Sequence, residues 1–112
     1  MQPTLRPAQH LNCVYLYRDP IDFRKSHRGL SALIEIELGH NPFSGNLYAF
    51  TNKRRNKIKC LFWENNGFVL YYKALAEEKF KWPKRTDEVV TLTGQQINWL
   101  LDGYDISLMQ GH

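Results

Sequence analysis

The residues best suited to chemistry in this chain lie together in "TNKRRNKIKCLFW", residues 51–63. Five of the nine residues 53–61 are cationic: Lys53, Arg54, Arg55, Lys57 and Lys59. Such a run neutralises phosphates, and a hairpin tip that carries it can enter a groove or follow a nucleic-acid backbone. A solvated tip is also often charged with no ligand in view, so the run alone is a weak motif. If all five cations contacted phosphates, log K would fall with log[salt] at a slope of about −4 to −5.

Ingredients for catalysis are missing. The four histidines (His10, His27, His40, His112) are scattered, with neither a metalloprotease motif nor zinc spacing. There is no Gly-rich phosphate loop ending in Gly-Lys-Ser/Thr and no G-x-S-x-G nucleophile elbow. Asp19 and Asp22 suit helix capping better than metal binding. No catalytic residue, metal, cofactor or small-molecule substrate is expected.

The surrounding chain must position the basic run. A length of 112 residues with 43% hydrophobic content suits one folded domain with one core. Cys13 and Cys60 form no C-x-x-C pair, which suits free thiols in a reducing compartment. No apolar run approaches the ~20 residues of a membrane helix, and the first residues lack a signal-peptide core. The expectation is a soluble, cytoplasmic protein with no membrane partner. Charge is unevenly spread. Residues 53–85 hold ten Lys/Arg against three acids, a net of +7, and the rest nets −3. That asymmetry suggests a side that faces a polyanion.

The elements are readable in outline. Residues 1–11 form a loose arm and 104–112 a tail, flanking a single domain. "CVYLY" (13–17) is β-branched and aromatic and predicts a strand. Leu30, Leu33, Ile34 and Leu38 share one stripe, which predicts a helix over 22–38, capped by Asp19 or Asp22 and stopped at Gly39. Gly29 inside it costs about 1 kcal/mol against Ala, which suggests close packing there. Residues 47–51, 57–64, 68–75 and 79–82 then predict an antiparallel meander, with "NKRRN" as its first tip and "NNG" (65–67) as its second. A three-residue loop with left-handed Gly67 suits "NNG". "VVTL" (89–92) adds a strand. Thr93 and Gln96 spell a capping box for a last helix, ended by Gly103. The fold expected is α+β, an antiparallel meander with two main helices packed on one face.

Placement of the remaining candidates depends on register. With a three-residue loop, Lys59, Trp63, Tyr71 and Lys73 share one face and form a basic, aromatic platform of the kind that stacks nucleobases. A two-residue loop flips that register, and burial of Trp63 under a helix would also remove the platform. Arg24 and Lys25 begin the first helix, where cations oppose the helix dipole. Lys81, Lys84 and Arg85 extend the basic surface through "KWPKR". Trp99 lies opposite Ile97 on the last helix and is a candidate exposed aromatic for a partner.

"DFRKSHRGLSALI", "NPFSGNLYAFTNKRRNKIKCLFWENNGFVLYYKALAEEKFKWP" and "LTGQQINWLLDG" together resemble the small accessory-protein family of bacterial insertion sequences of type sixty-six. Its members are often labelled TnpB and are unrelated to the RNA-guided nuclease of that label. The likeness spans about residues 13–103. The family's D-M-R-K-G run is similar to Asp22, Phe23, Arg24, Lys25 and Ser26, with Phe for Met and Ser for Gly. Its P-F-S-G run is Pro42, Phe43, Ser44 and Gly45, and its basic hairpin covers residues 52–59. Its W-x-x-x-G-F pattern falls on Trp63, Gly67 and Phe68, followed by Tyr72, Lys73 and Leu75, and its F-x-W-P ending on Phe80, Trp82 and Pro83.

The resemblance implies a non-catalytic partner of a large transposase that carries the acidic catalytic residues. From the residues themselves comes the expected mechanism. Element DNA is bound through Lys53, Arg54, Arg55, Lys57 and Lys59, with support from Arg24, Lys25, Lys81, Lys84 and Arg85. A competing expectation is a module that docks on the transposase or its companion accessory protein, anchored by Trp99. A third, resting on the aromatic platform, is an RNA-binding regulator of the element's own expression, which a preference for single strands over duplex would distinguish.

Overall fold

The computed structural model describes residues 13–82 and 89–105. Its elements run β1 (Val14–Tyr17), α1 (His27–Ile36), β2 (Leu47–Thr51), β3 (Lys57–Glu64), β4 (Gly67–Ala74), β5 (Val89–Leu92) and α2 (Gly94–Leu101). The five strands form one sheet in the order β4-β3-β2-β1-β5. β2, β3 and β4 are a meander as expected, and β5 pairs antiparallel with β1. The sheet is mixed, however, because β1 and β2 are parallel neighbours, with Val14 opposite Leu47. A parallel pair needs a crossover, and α1 supplies it.

The helices cover opposite faces rather than one. α1 sets buried Leu30 and Ile34 against Tyr48, Phe50 and Leu61, with Tyr15, Tyr17 and Phe23 around them. α2 sets Ile97, Leu100 and Leu101 into a cluster with Val14, Leu16, Leu47, Ala49, Ile58 and Cys60. The central strands are thus apolar on both faces; all five residues of β2 are buried.

Four local expectations are corrected. First, α1 begins at His27, not at residue 22, and ends at Ile36. The Asp22 carboxylate accepts from the Arg24 backbone and guanidinium, which closes a turn ahead of the helix instead of capping it. Ser26 is the N-cap, without a side-chain bond. Gly29 packs tightly, since a Cβ there would sit 3.2 Å from Lys25 Cβ. Second, the β3–β4 turn has two residues: Glu64 faces Gly67, and Asn65 takes the positive φ of 55°. Third, residues 79–82 join no strand, yet Phe80 and Trp82 are buried and the Trp82 indole donates to the Tyr17 carbonyl. Fourth, Trp99 is half-buried and packs against the α2-side core. It is therefore not the exposed anchor that helical spacing suggested.

α2 keeps its capping box: the Thr93 hydroxyl accepts from Gln96 N–H, and the Gln96 side chain accepts from Thr93 N–H. Its other end is closed by a distant cation, as Lys73 Nζ donates to the Leu101 carbonyl at 2.8 Å. Replacing Thr93 by Ala is expected to cost about 1 kcal/mol of unfolding free energy, read from urea denaturation.

Candidate nucleic-acid interface

The β2–β3 tip is built by an asparagine frame. Asn52 Oδ1 accepts from Lys57 N–H at 3.1 Å, and Asn52 Nδ2 donates to Asn56 Oδ1 at 2.8 Å. Arg55 N–H donates to the Asn52 carbonyl, and Arg55 itself takes a left-handed conformation, φ 61°. The chain beyond β4 returns to brace the tip. Leu75 N–H donates to the Asn56 carbonyl and Phe80 N–H to the Arg55 carbonyl, at 2.8 and 2.7 Å. Phe80 is core, so the tip is tied to the interior through one residue.

On this frame Lys53 and Arg54 are exposed, and Arg55 and Lys57 half-exposed. Among the described residues none of these four makes an ion pair. An open cleft of about 140 Å³ lies beside the tip, lined by Arg54, Asn56, Ala76, Glu77, Glu78 and Lys79. Lys81 is exposed one residue from the buried Trp82. Lys84 and Arg85 lie outside the described residues.

Lys59 has a different task. Its ammonium donates to the Phe23 and Lys25 carbonyls, at 2.8 and 2.9 Å, and lies 4.9 Å from the centre of the Phe23 ring. Burial pushes it below the usual lysine range. It fastens the segment before α1 onto the sheet. In the same segment Arg24 is paired with Asp22 at 2.6 Å while its side chain stays 91% exposed, and Lys25 is exposed. The Arg24 guanidinium holds the Asp22 carboxyl down to about 2.

The basic, aromatic platform is not formed. Lys59 faces Tyr72 and Trp63 faces Phe68, whereas Tyr71 and Lys73 lie across from Cys60 and Ile58 on the opposite face. Trp63 is neither bare nor in the core: it is half-buried, edge-on to Phe43 and Phe68 at 5.0 and 5.1 Å. The surface that sequence reasoning missed is an apolar strip of Phe43, Leu70 and Tyr72 on the α1 side. Alternation in β4 puts Phe68, Leu70 and Tyr72 on one face; what went unread was that α1 covers Phe68 through His27 but leaves Leu70 and Tyr72 exposed. Among the described residues no cluster of three or more His, Cys, Asp or Glu is arranged to hold a metal. No helix there is long and apolar enough to cross a membrane.

Lys59→Met is expected to lower stability by about 1–3 kcal/mol, through two lost charge-assisted bonds, while leaving the tip's ligand affinity unchanged. Denaturation and binding assays on one sample check both halves. Asp22 has a lowered carboxyl pKa, so its stabilising pair is complete above the ordinary value of 3.8 and is lost as pH falls through about 2. An NMR titration is expected to show a midpoint of about 2 for Asp22, returning toward 3.8 in Arg24→Ala.

Residues 12–111 match the family described as "IS66 Orf2 like protein". Two curated relatives come from Sinorhizobium fredii. Uncharacterized protein y4jC is 31% identical over 86 residues, covering 77% of this chain and 74% of its own length. Uncharacterized protein y4hO is 26% identical over 92 residues, covering 82% and 80%. No solved structure matches. Since the match takes in almost the whole chain, from before β1 to beyond α2, the protein belongs to the IS66 Orf2-like family of insertion-sequence accessory proteins.

Proposed function

We propose that this chain assists transposition of its insertion sequence by binding element DNA through Lys53, Arg54, Arg55 and Lys57, and that it performs no catalysis itself. One observation carries the proposal: four cations that have no acidic partner among the described residues stand on a tip whose backbone is already fixed by Asn52, Leu75 and Phe80. A prebuilt tip loses little freedom on binding, so the electrostatic gain is not spent on ordering it. Lys81, Lys25 and the exposed face of Arg24 are secondary contacts. Lys84 and Arg85 stay in the proposal from their sequence position alone. Lys59 is reassigned from phosphate contact to fastening the α1 approach, for the hydrogen bonds it already makes.

A second reading is favoured by the exposed strip of Phe43, Leu70 and Tyr72, which suits a protein contact: docking on the transposase or on its companion accessory protein. Trp99 no longer supports it. The RNA-binding reading loses its ground with the platform.

Fluorescence anisotropy with a duplex of the element's terminal repeat, beside a scrambled duplex, tests the main proposal across a salt series. Four phosphate contacts predict a slope of log K against log[salt] of about −4. Replacing Lys53, Arg54 and Lys57 by Gln and Arg55 by Asn, which tolerates the left-handed backbone, is expected to remove that contribution of about −4 and leave only the slope of the secondary contacts. Unchanged affinity and slope in this variant would remove the tip from DNA binding. Nuclease-resistant co-purification with the transposase, with no DNA affinity at low salt, would favour the docking reading.

A further inference from the structure

The basic tip is not a free ribbon. Just beyond β1, Ile21 N–H donates to the Thr51 carbonyl at 2.9 Å. Just beyond β4, Leu75 N–H donates to the Asn56 carbonyl, and Phe80 N–H to the Arg55 carbonyl. Four stretches of backbone thus stand abreast at the base of the tip, in the sheet order β4-β3-β2-β1. At ordinary strand spacing the outer two are about 14 Å apart, before side chains are added. The major groove of duplex DNA is about 12 Å wide and admits a two-stranded ribbon. Only residues 53–55 lie beyond the bond between Asn52 and Asn56.

The groups suited to reading bases are spent or screened. A side-chain amide reads adenine with both of its ends. Asn52 uses both inside the tip, on Lys57 N–H and on Asn56, and that second bond also takes Asn56 Oδ1. The Arg54 guanidinium has the fork that suits guanine, yet it lines one cleft with Glu77 and Glu78, which repel the phosphate walls of a groove. Residues 52–59 hold no aromatic ring on which an unstacked base could rest. What remains is charge close to the surface.

Resting on the DNA-binding role proposed above, we infer that the tip grips the phosphate backbone of duplex DNA and reads no sequence. Phosphate contacts fix where a protein sits on a duplex but carry no sequence information. The chain by itself then holds the element's DNA and any other duplex alike. Choice of the element's ends falls to another component of the transposition machinery.

Anisotropy of the full chain on the terminal-repeat duplex, and on a scrambled duplex of equal length and composition, tests this. The two affinities are expected to agree within about threefold at every salt concentration, with one salt slope, where a specific reader separates them by about 1,000-fold or more. Arg54→Lys/Arg55→Lys keeps the charge and removes the guanidinium forks. Whatever factor it changes the affinity by is expected to be the same for both duplexes. A preference of about tenfold or more for the repeat would overturn the inference and leave DNA binding standing. So would a loss in the arginine variant that is confined to the repeat. No binding to either duplex at low salt would instead remove the DNA-binding role, and the backbone grip with it.

Discussion

A strand turns its side chains to alternate faces, so the length of one tight turn decides the surface of everything beyond it. In this protein that turn is Asn65–Asn66. With two residues between Glu64 and Gly67, Lys59 falls opposite Tyr72 and Lys73 opposite Ile58. Lys59 thereby reaches the Phe23 and Lys25 carbonyls on the α1 side, and Lys73 reaches the Leu101 carbonyl on the α2 side. One more residue in the turn would exchange the faces of β4. Lys73 would leave the end of α2, and Tyr72 would leave the ammonium of Lys59. The two lysines are thus structural pins, one for each helical layer, and both depend on the same register.

The layers themselves follow from how much apolar surface the middle strands carry. β2 reads "LYAFT", with Leu47, Ala49 and Thr51 to one side and Tyr48 and Phe50 to the other, all buried. A strand like that needs cover on both faces, and α1 and α2 supply it. The same demand explains the parallel pair. The chain leaves β1, crosses one face as α1 and returns beside β1 as β2, the usual way to join parallel neighbours. The cover is uneven at the far side, where α1 stops over β3 and leaves Leu70 and Tyr72 of β4 in the open.

Much of this was legible in the sequence and some was not, for identifiable reasons. Signals held within a few residues carried through: β2 and β3 lie where alternation put them, and the Thr93–Gln96 box caps α2 as its spelling required. The basic tip was equally plain, being contiguous in the chain. Signals that depend on competition between neighbours misled. Asp22 could cap a helix or close a turn, and the guanidinium two residues away decided for the turn. "NNG" could form two loops, and Asn65 took the left-handed position otherwise expected of Gly67. The side of the sheet on which each helix packs is set by tertiary connection. Trp99, opposite Ile97 on its helix, was therefore misjudged, because the core of α2 wraps far enough round to half-bury it. "KFKW" shows the limit of alternation, since Phe80 and Trp82 face inward as in a strand but pair with no ladder.

That last segment links stability to the candidate site. Like charges on Lys53, Arg54, Arg55 and Lys57 repel one another, and a loose tip would spread them apart. Here the backbone beneath them is fixed by Asn52 inside the tip and by Leu75 and Phe80 outside it. Phe80 can do this because its ring lies in the α2-side core, and Trp82, two residues on, is bonded to the Tyr17 carbonyl of β1. The repulsion at the surface is therefore held in check by burial under the sheet. Glu77 and Glu78 stand on the same returning segment, line the cleft beside Arg54 without an ion pair to the tip, and moderate the field there. The four cations stand on backbone that is already ordered, so a polyanion that met them would not first have to order the chain that receives it.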